Sequence, residues 1–252
     1  MGKITAVANQ KGGVGKTTTA INVAASLADT TKRVLLVDTD PQGNSTSGLG
    51  IDKDNLGGSL YDLYTGFKTA EEIIQATSVE HLHIMASNIE LIGAELELTG
   101  KDDRETVLKR AMEPVRGRYD YILIDCPPSL SLLTLNALVA ADSLLIPMQC
   151  EYYALEGISM LLRTYNLIKD SFNPDLEIEG ILLTMFDGRN TLAHQVSDEL
   201  RRHFGDKVYK TLIPRNVTLA EAPSHGKPVL HYDSRSRGAQ SYRALAQEMM
   251  EA

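Results

Sequence analysis

Lys11-Gly12-Gly13-Val14-Gly15-Lys16-Thr17-Thr18 decides how this chain folds. A short apolar run starting at Ile4 precedes it, and a helical pattern from Ala20 to Leu27 follows. Strand, glycine loop, lysine, threonine and helix in that order form a phosphate-binding loop. The glycines let backbone N–H groups turn inward around a phosphate chain with no Cβ in the way. The helix start adds unpaired N–H donors and the positive end of its dipole. Lys16 is expected on the β/γ-phosphates of a nucleotide and the Thr17 hydroxyl on Mg²⁺.

Working outward, the chain alternates between two patterns. Apolar runs at 4–9, 33–38, Leu82–Met85, Tyr121–Asp125, 143–147 and 178–184 read as strands. Most are unbroken, which suits strands covered on both faces. Helical periodicity occupies 17–28, 90–98, 104–115, Leu132–Ala140, 155–169, 192–204 and 239–250. The alternation predicts a doubly wound, mostly parallel α/β sheet with helices on both faces. No Pro/Gly/Ser-rich linker interrupts it, so residues 1–252 are expected to form a single domain. Ligands of such sheets bind at the carboxyl ends of the strands, where the glycine loop sits.

Two acidic segments end apolar runs at that edge. Asp38 closes the run 34–38, with Asp40 two residues on, and Asp125 closes Tyr121–Asp125. A carboxylate at a strand tip beside a phosphate loop can order Mg²⁺ and its waters, since Mg²⁺ takes few protein ligands. Asp38 and Asp125, with Thr17, are the expected metal residues. The same aspartates could serve only as strand-end caps or turn formers. Pro127 and Pro128 stop the second strand and stiffen the following loop.

The loop departs from the common pattern. Gln10 stands where a glycine is usual, and a second lysine, Lys11, follows it. Residues 10–18 resemble the deviant Walker A motif of partition ATPases of the ParA/Soj type, MinD regulators and the nitrogenase iron protein. Segments 37–50, 119–129, 149–157 and 213–228 resemble the ParA/Soj branch in particular, so the resemblance spans nearly the whole chain. It implies an ATPase using ATP and Mg²⁺ and forming a homodimer on ATP binding, with Gly12, Gly13, Val14, Gly15 and Thr18 around the phosphates. Lys11 is expected to reach the partner subunit's nucleotide, Glu151 to join that interface, and Asp40 to orient the attacking water. Pro214 and Asn216, after an expected strand at 208–209, are implied adenine contacts, although 213–216 also suits an ordinary turn. The implied role is chromosome or plasmid segregation with a ParB-type centromere-binding partner on non-specific double-stranded DNA.

Charge distribution is compatible with that role. The chain carries a net −8, but residues 186–252 hold ten Lys/Arg against eight Asp/Glu, whereas 1–185 hold fifteen against twenty-five. Arg189 matches a basic position used for DNA in the resembling family, and Arg215, Lys227, Arg235 and Arg237 are candidate neighbours. Thr218 stands where that family often carries arginine.

Other classes fit less well. No apolar window is long enough to span a membrane, and the N-terminus runs straight into the first strand rather than through a signal peptide. Met1-Gly2 begins a myristoylation signal, but Ala6 stands where Ser or Thr is needed. A MinD-like protein acting at a membrane needs a basic amphipathic C-terminal helix; the segment 242–252 has one cation and two glutamates. Cys126 and Cys150 match the number an iron–sulfur carrier uses per subunit, but the Gly-rich surroundings expected of such ligands are absent and prolines follow Cys126, so small buried thiols account for them better. Two cysteines also indicate no disulfide framework and a cytoplasmic protein, nucleoid-associated when ATP-bound.

Overall fold

The computed structural model describes residues 2–151 and 154–251, and of Leu155 and Glu156 only the backbone. Met1 of the rejected acylation signal, and Tyr152 and Tyr153 within the stretch 149–157, lie outside the described residues.

Seven strands form one sheet in the order β3-β4-β2-β5-β1-β6-β7. They are β1 (Lys3–Val7), β2 (Val34–Asp38), β3 (Ile74–Ala76), β4 (Leu82–Met85), β5 (Tyr121–Asp125), β6 (Ser143–Gln149) and β7 (Glu177–Thr184). All neighbours are parallel except β3, which runs antiparallel to β4 at one edge. The unbroken apolar runs follow from burial on both faces. In β2, Leu35 and Val37 enter one core while Val34 and Leu36 enter the other, as the two-residue side-chain period requires.

The helices divide the same way. α1 (Lys16–Ala28) lies over one face together with α12 (Arg237–Glu251), whose buried positions Ala239, Tyr242, Leu245, Ala246 and Met249 pack into the same core as Ala20, Val23, Ala24 and Leu27. The opposite core takes α3 (Leu60–Thr65), α5 (Leu91–Leu98), α6 (Val107–Arg116), α7 (Leu132–Ala140), α8 (Ala154–Ser171) and α9 (Thr191–Phe204). Four short helices complete the connections: α2 (Asn44–Gly48), α4 (Ala70–Ile73), α10 (Val217–Glu221) and α11 (Val229–Tyr232). The fold is the doubly wound α/β architecture read from the sequence.

Some expectations shift. The helix expected over 104–115 opens as a 3₁₀ turn, Arg104–Thr106, before α6 begins. The strand expected at 208–209 does not form. Only isolated parallel bridges join Ile181 to Val208 and Phe186 to Pro214. Between them the amides of Lys210 and Thr211 donate to the Glu248 carboxylate of α12, at 2.7 and 3.0 Å, instead of to β7. The flanking amides of Tyr209 and Ile213 still donate to the Ile181 and Leu183 carbonyls of β7, at 3.0 and 2.9 Å, so the pairing is interrupted only where the side-chain acceptor intervenes.

Candidate functional site

Strand register brings the two acidic tips together. Asp38 is the direct partner of Asp125 between β2 and β5, and Val7, the last residue of β1, is paired with Asp125 on the other side. The glycine loop leaves β1 at this level and enters α1 through Gly15, whose φ of 86° lies in the left-handed region. That angle, rather than crowding, calls for glycine: a Cβ there would meet only Thr184, at 3.8 Å. Thr184 at the end of β7 anchors the loop, its hydroxyl donating to the Val14 carbonyl at 2.8 Å.

Lys16 is 7% exposed and its ammonium donates to the Lys11 carbonyl at 3.1 Å. Burial lowers its pKa, opposed by the charges of Asp125 and Asp40. Both strand-tip carboxylates are fully buried, and burial raises the pKa of each, with mutual repulsion adding to the effect at Asp125. Asp38 accepts from the Thr46 amide and hydroxyl at 2.8 and 2.7 Å. Asp125 Oδ2 accepts from the Ser45 hydroxyl at 2.8 Å, while its Oδ1 has no hydrogen-bond partner. A buried, unpartnered carboxylate oxygen next to a second buried carboxylate suits a divalent cation, and hard oxygen donors suit Mg²⁺. Asp125 and the Thr17 hydroxyl could hold it, with Asp38 behind them. Asp40, 9% exposed, donates its amide to Asp38 and accepts from the Gln42 amide at 2.9 Å.

Lys16, Thr17, Asp40 and Thr184 open onto one cavity of about 940 Å³, with Asp38 and Asp125 buried behind its lining, at the upper end of the range for small-molecule sites. Gly12, Gly13, Gly15, Lys16, Thr17, Thr18 and Asp40 form one end, and Pro214, Arg215, Asn216 and Val217 the other. Asn216 caps α10, its side-chain oxygen accepting from the Leu219 amide at 3.3 Å, which leaves its NH₂ for a ligand. Tyr242 of α12 also lines the cavity and is tied to Thr19 of α1 at 3.1 Å between hydroxyl oxygens.

Residues 2–178 match the family described as AAA domain. Over 249 residues the chain is 59% identical to the sporulation initiation inhibitor protein Soj of Bacillus subtilis, covering 99% of this chain and 98% of Soj. It is 55% identical to the chromosome partitioning protein ParA of Myxococcus xanthus, covering 99% and 88%. The chain belongs to the ParA/Soj family of chromosome-partitioning ATPases. Among solved structures, cobyrinic acid a,c-diamide synthase from Mycobacterium smegmatis, with bound ADP and magnesium, superposes with a TM-score of 0.87 at 37% identity, covering 100% of this chain and 95% of that one.

Within this ParA/Soj chain, Lys11 does not point to its own phosphate site. Its ammonium pairs with the Glu151 carboxylate of the same chain, and both side chains are about half exposed. Of the basic candidates, Arg189 sits in the turn after β7 and is held bidentately by Asp187, at 3.0 and 2.9 Å. These hydrogen bonds, with the Arg215 charge adding a little, push Asp187 down to about 2, so Arg189 and Arg215 flank one carboxylate. Arg237 borders Pro214 on the outer side of the cavity wall. Lys227 and Arg235 are exposed on either side of α11.

Sequence reasoning missed Ser45, Thr46, Thr184, Asp187 and Tyr242. The hydroxyl pair directly after the acidic loop was the one readable signal, in the stretch Asp40-Pro41-Gln42-Gly43-Asn44-Ser45-Thr46. Both cysteines are buried thiols; burial raises Cys126 strongly and pushes Cys150 up to about 11. Among the described residues no helix is long and apolar enough to cross a membrane.

Proposed function

We propose that the chain is an ATP-dependent dimerising ATPase that binds DNA without sequence preference and moves chromosomal or plasmid DNA with a ParB-type partner. The observation that carries the reading is the register of Asp38 on Asp125 behind the glycine loop, whose own residues line a cavity that continues to Pro214 and Asn216. ATP would lie with its phosphates on residues 12–18 and its base against Pro214 and the Asn216 amide. Mg²⁺, when bound, neutralises charge on the phosphates. Lys16 holds the phosphate chain, and Asp40 orients the attacking water. Lys11 leaves Glu151 and reaches the second subunit's nucleotide, which links dimerisation to ATP. The dimer then offers two copies of the basic group around Arg189 and Arg215, and doubling a weak patch raises avidity without new contacts. The partner stimulates hydrolysis and releases the dimer, leaving the protein on the nucleoid only while ATP is bound. A DNA surface is favoured over a membrane because the apolar positions of α12 are already covered by α1.

Fluorescence anisotropy on two unrelated duplexes tests this. Binding is expected with ATP and not ADP, alike on both duplexes, and falling steeply with salt. Arg189→Ala should weaken both equally and lower the log–log salt slope by about one unit per lost phosphate contact. An ATP-bound protein that ignores duplex DNA at low salt would return the cargo to a protein or membrane surface.

A further inference from the structure

One short segment holds both metal-side carboxylates. Ser45 donates to Asp125 and Thr46 to Asp38, and all four side chains are buried. The Thr46 hydroxyl also accepts from the Ser87 amide just beyond β4, at 3.0 Å, so α2 is fixed against the sheet edge. The far end of the same segment is fixed against the turn that follows α10. Gly50 and Gly226, with φ of 79° and 62°, meet backbone to backbone. A Cβ on Gly226 would stand 2.6 Å from Gly50 Cα, so no other residue fits unless the segment moves. Gly226 ends the turn after α10, the helix capped by Asn216. The segment 43–50 therefore links the two strand-tip carboxylates to the turn that follows α10.

We propose that Ser45 is a positioning residue for the divalent cation, and that the Gly50–Gly226 contact sets where its hydroxyl stands. The inference rests on the ATP–Mg²⁺ reading above. The terminal torsion of an aspartate is broad when nothing holds it. At Asp125 the Ser45 hydroxyl holds Oδ2, with the Thr17 side chain also beside the carboxylate, and Oδ1 is left without a hydrogen-bond partner. A group that orients a metal-side carboxylate in this way typically changes metal affinity about 10- to 100-fold when removed. Ser45 itself does not line the cavity, so this effect is separable from nucleotide contact.

The test is equilibrium binding of a fluorescent ATP analogue to the full chain, in EDTA and across a Mg²⁺ titration, with folding followed by thermal melting. Ser45→Ala should bind the analogue in EDTA as the parent does, while its Mg²⁺ half-saturation point rises about 10- to 100-fold. Gly226→Ala, which touches neither carboxylate, should shift the same midpoint in the same direction by a smaller factor, and it carries the test if Ser45→Ala does not fold. An unchanged midpoint in folded Ser45→Ala, or equal losses with and without Mg²⁺, would overturn the positioning role. A shift in Ser45→Ala alone would keep that role and overturn the one given to the glycine contact. If the parent protein shows no Mg²⁺-dependent binding at all, the ATP–Mg²⁺ reading itself is wrong and this proposal falls with it.

Discussion

Asn22→Ala isolates a tie between the phosphate-loop helix and the C-terminal part of the chain. Asn22 lies on the second turn of α1 and is 4% exposed. Its amide NH₂ donates to the Thr18 carbonyl at 2.7 Å, and its oxygen accepts from the Val229 amide, 207 residues away, also at 2.7 Å. Val229 opens α11 and is fully buried, so no water can replace the lost acceptor. An orphaned buried N–H costs about 1–3 kcal/mol. Alanine returns up to about 0.7 kcal/mol through its better helix propensity. The remaining loss of about 0.3–2.3 kcal/mol corresponds to a Tm lower by roughly 1–9 °C for a domain of this size. Calorimetric melting measures it, and hydrogen exchange at the Val229 amide locates it. Neither Asn22 nor Val229 lines the nucleotide cavity, so ATP affinity should persist. A variant that melts with the parent and protects the Val229 amide equally well would show that the bond contributes nothing.

The remaining predictions concern the site. Lys16→Ala removes a partly buried cation from the phosphate end, and loss of a charge-assisted contact of about 1.5–3 kcal/mol should weaken ATP binding by at least tenfold in calorimetry. Lys11→Ala should still bind ATP as a monomer but fail to dimerise with a non-hydrolysable analogue in sedimentation; a normal dimer would reduce Lys11 to a loop cation. Asp40→Ala should bind ATP and dimerise persistently while releasing no phosphate, and parent-like turnover would move the water-orienting role to Asp38. Asp187→Asn frees Arg189 from its bidentate partner and removes a negative charge from the basic group, so DNA affinity should rise on every sequence alike; unchanged affinity would mean the pair does not compete with phosphate.

The central sheet was legible because its strands are buried on both faces and therefore write themselves as unbroken apolar runs. Asp38 and Asp125 stood out for the same reason, each a single charge ending such a run. The edge strand β3 was not legible: Ile74-Gln75-Ala76 is short and partly exposed, with nothing to distinguish it from a loop. Helices α2, α3 and α4 span four to six residues, too short for a 3.6-residue period to register. The hydroxyl donors were hidden by distance along the chain. Ser45 meets a carboxylate 80 residues away, and local pattern carries no information about such a partner. The strand misread at 208–209 failed through competition, since the pattern shows apolar residues but not the Glu248 carboxylate that captures the intervening amides.

That competition also shows how the nucleotide cavity is closed. The phosphate end comes entirely from the stretch matched to the AAA domain family, residues 2–178. The wall facing it comes from residues 184–242, and its placement depends on α12. Glu248 holds the amides of Lys210 and Thr211, which turns the chain into Ile213 and Pro214. Six residues earlier on the same helix, Tyr242 closes the cavity against Thr19 of α1. This helix is spent on shaping the base end of the site. Its apolar face is therefore needed inside the molecule, and releasing it to a membrane would open the cavity that we assign to ATP.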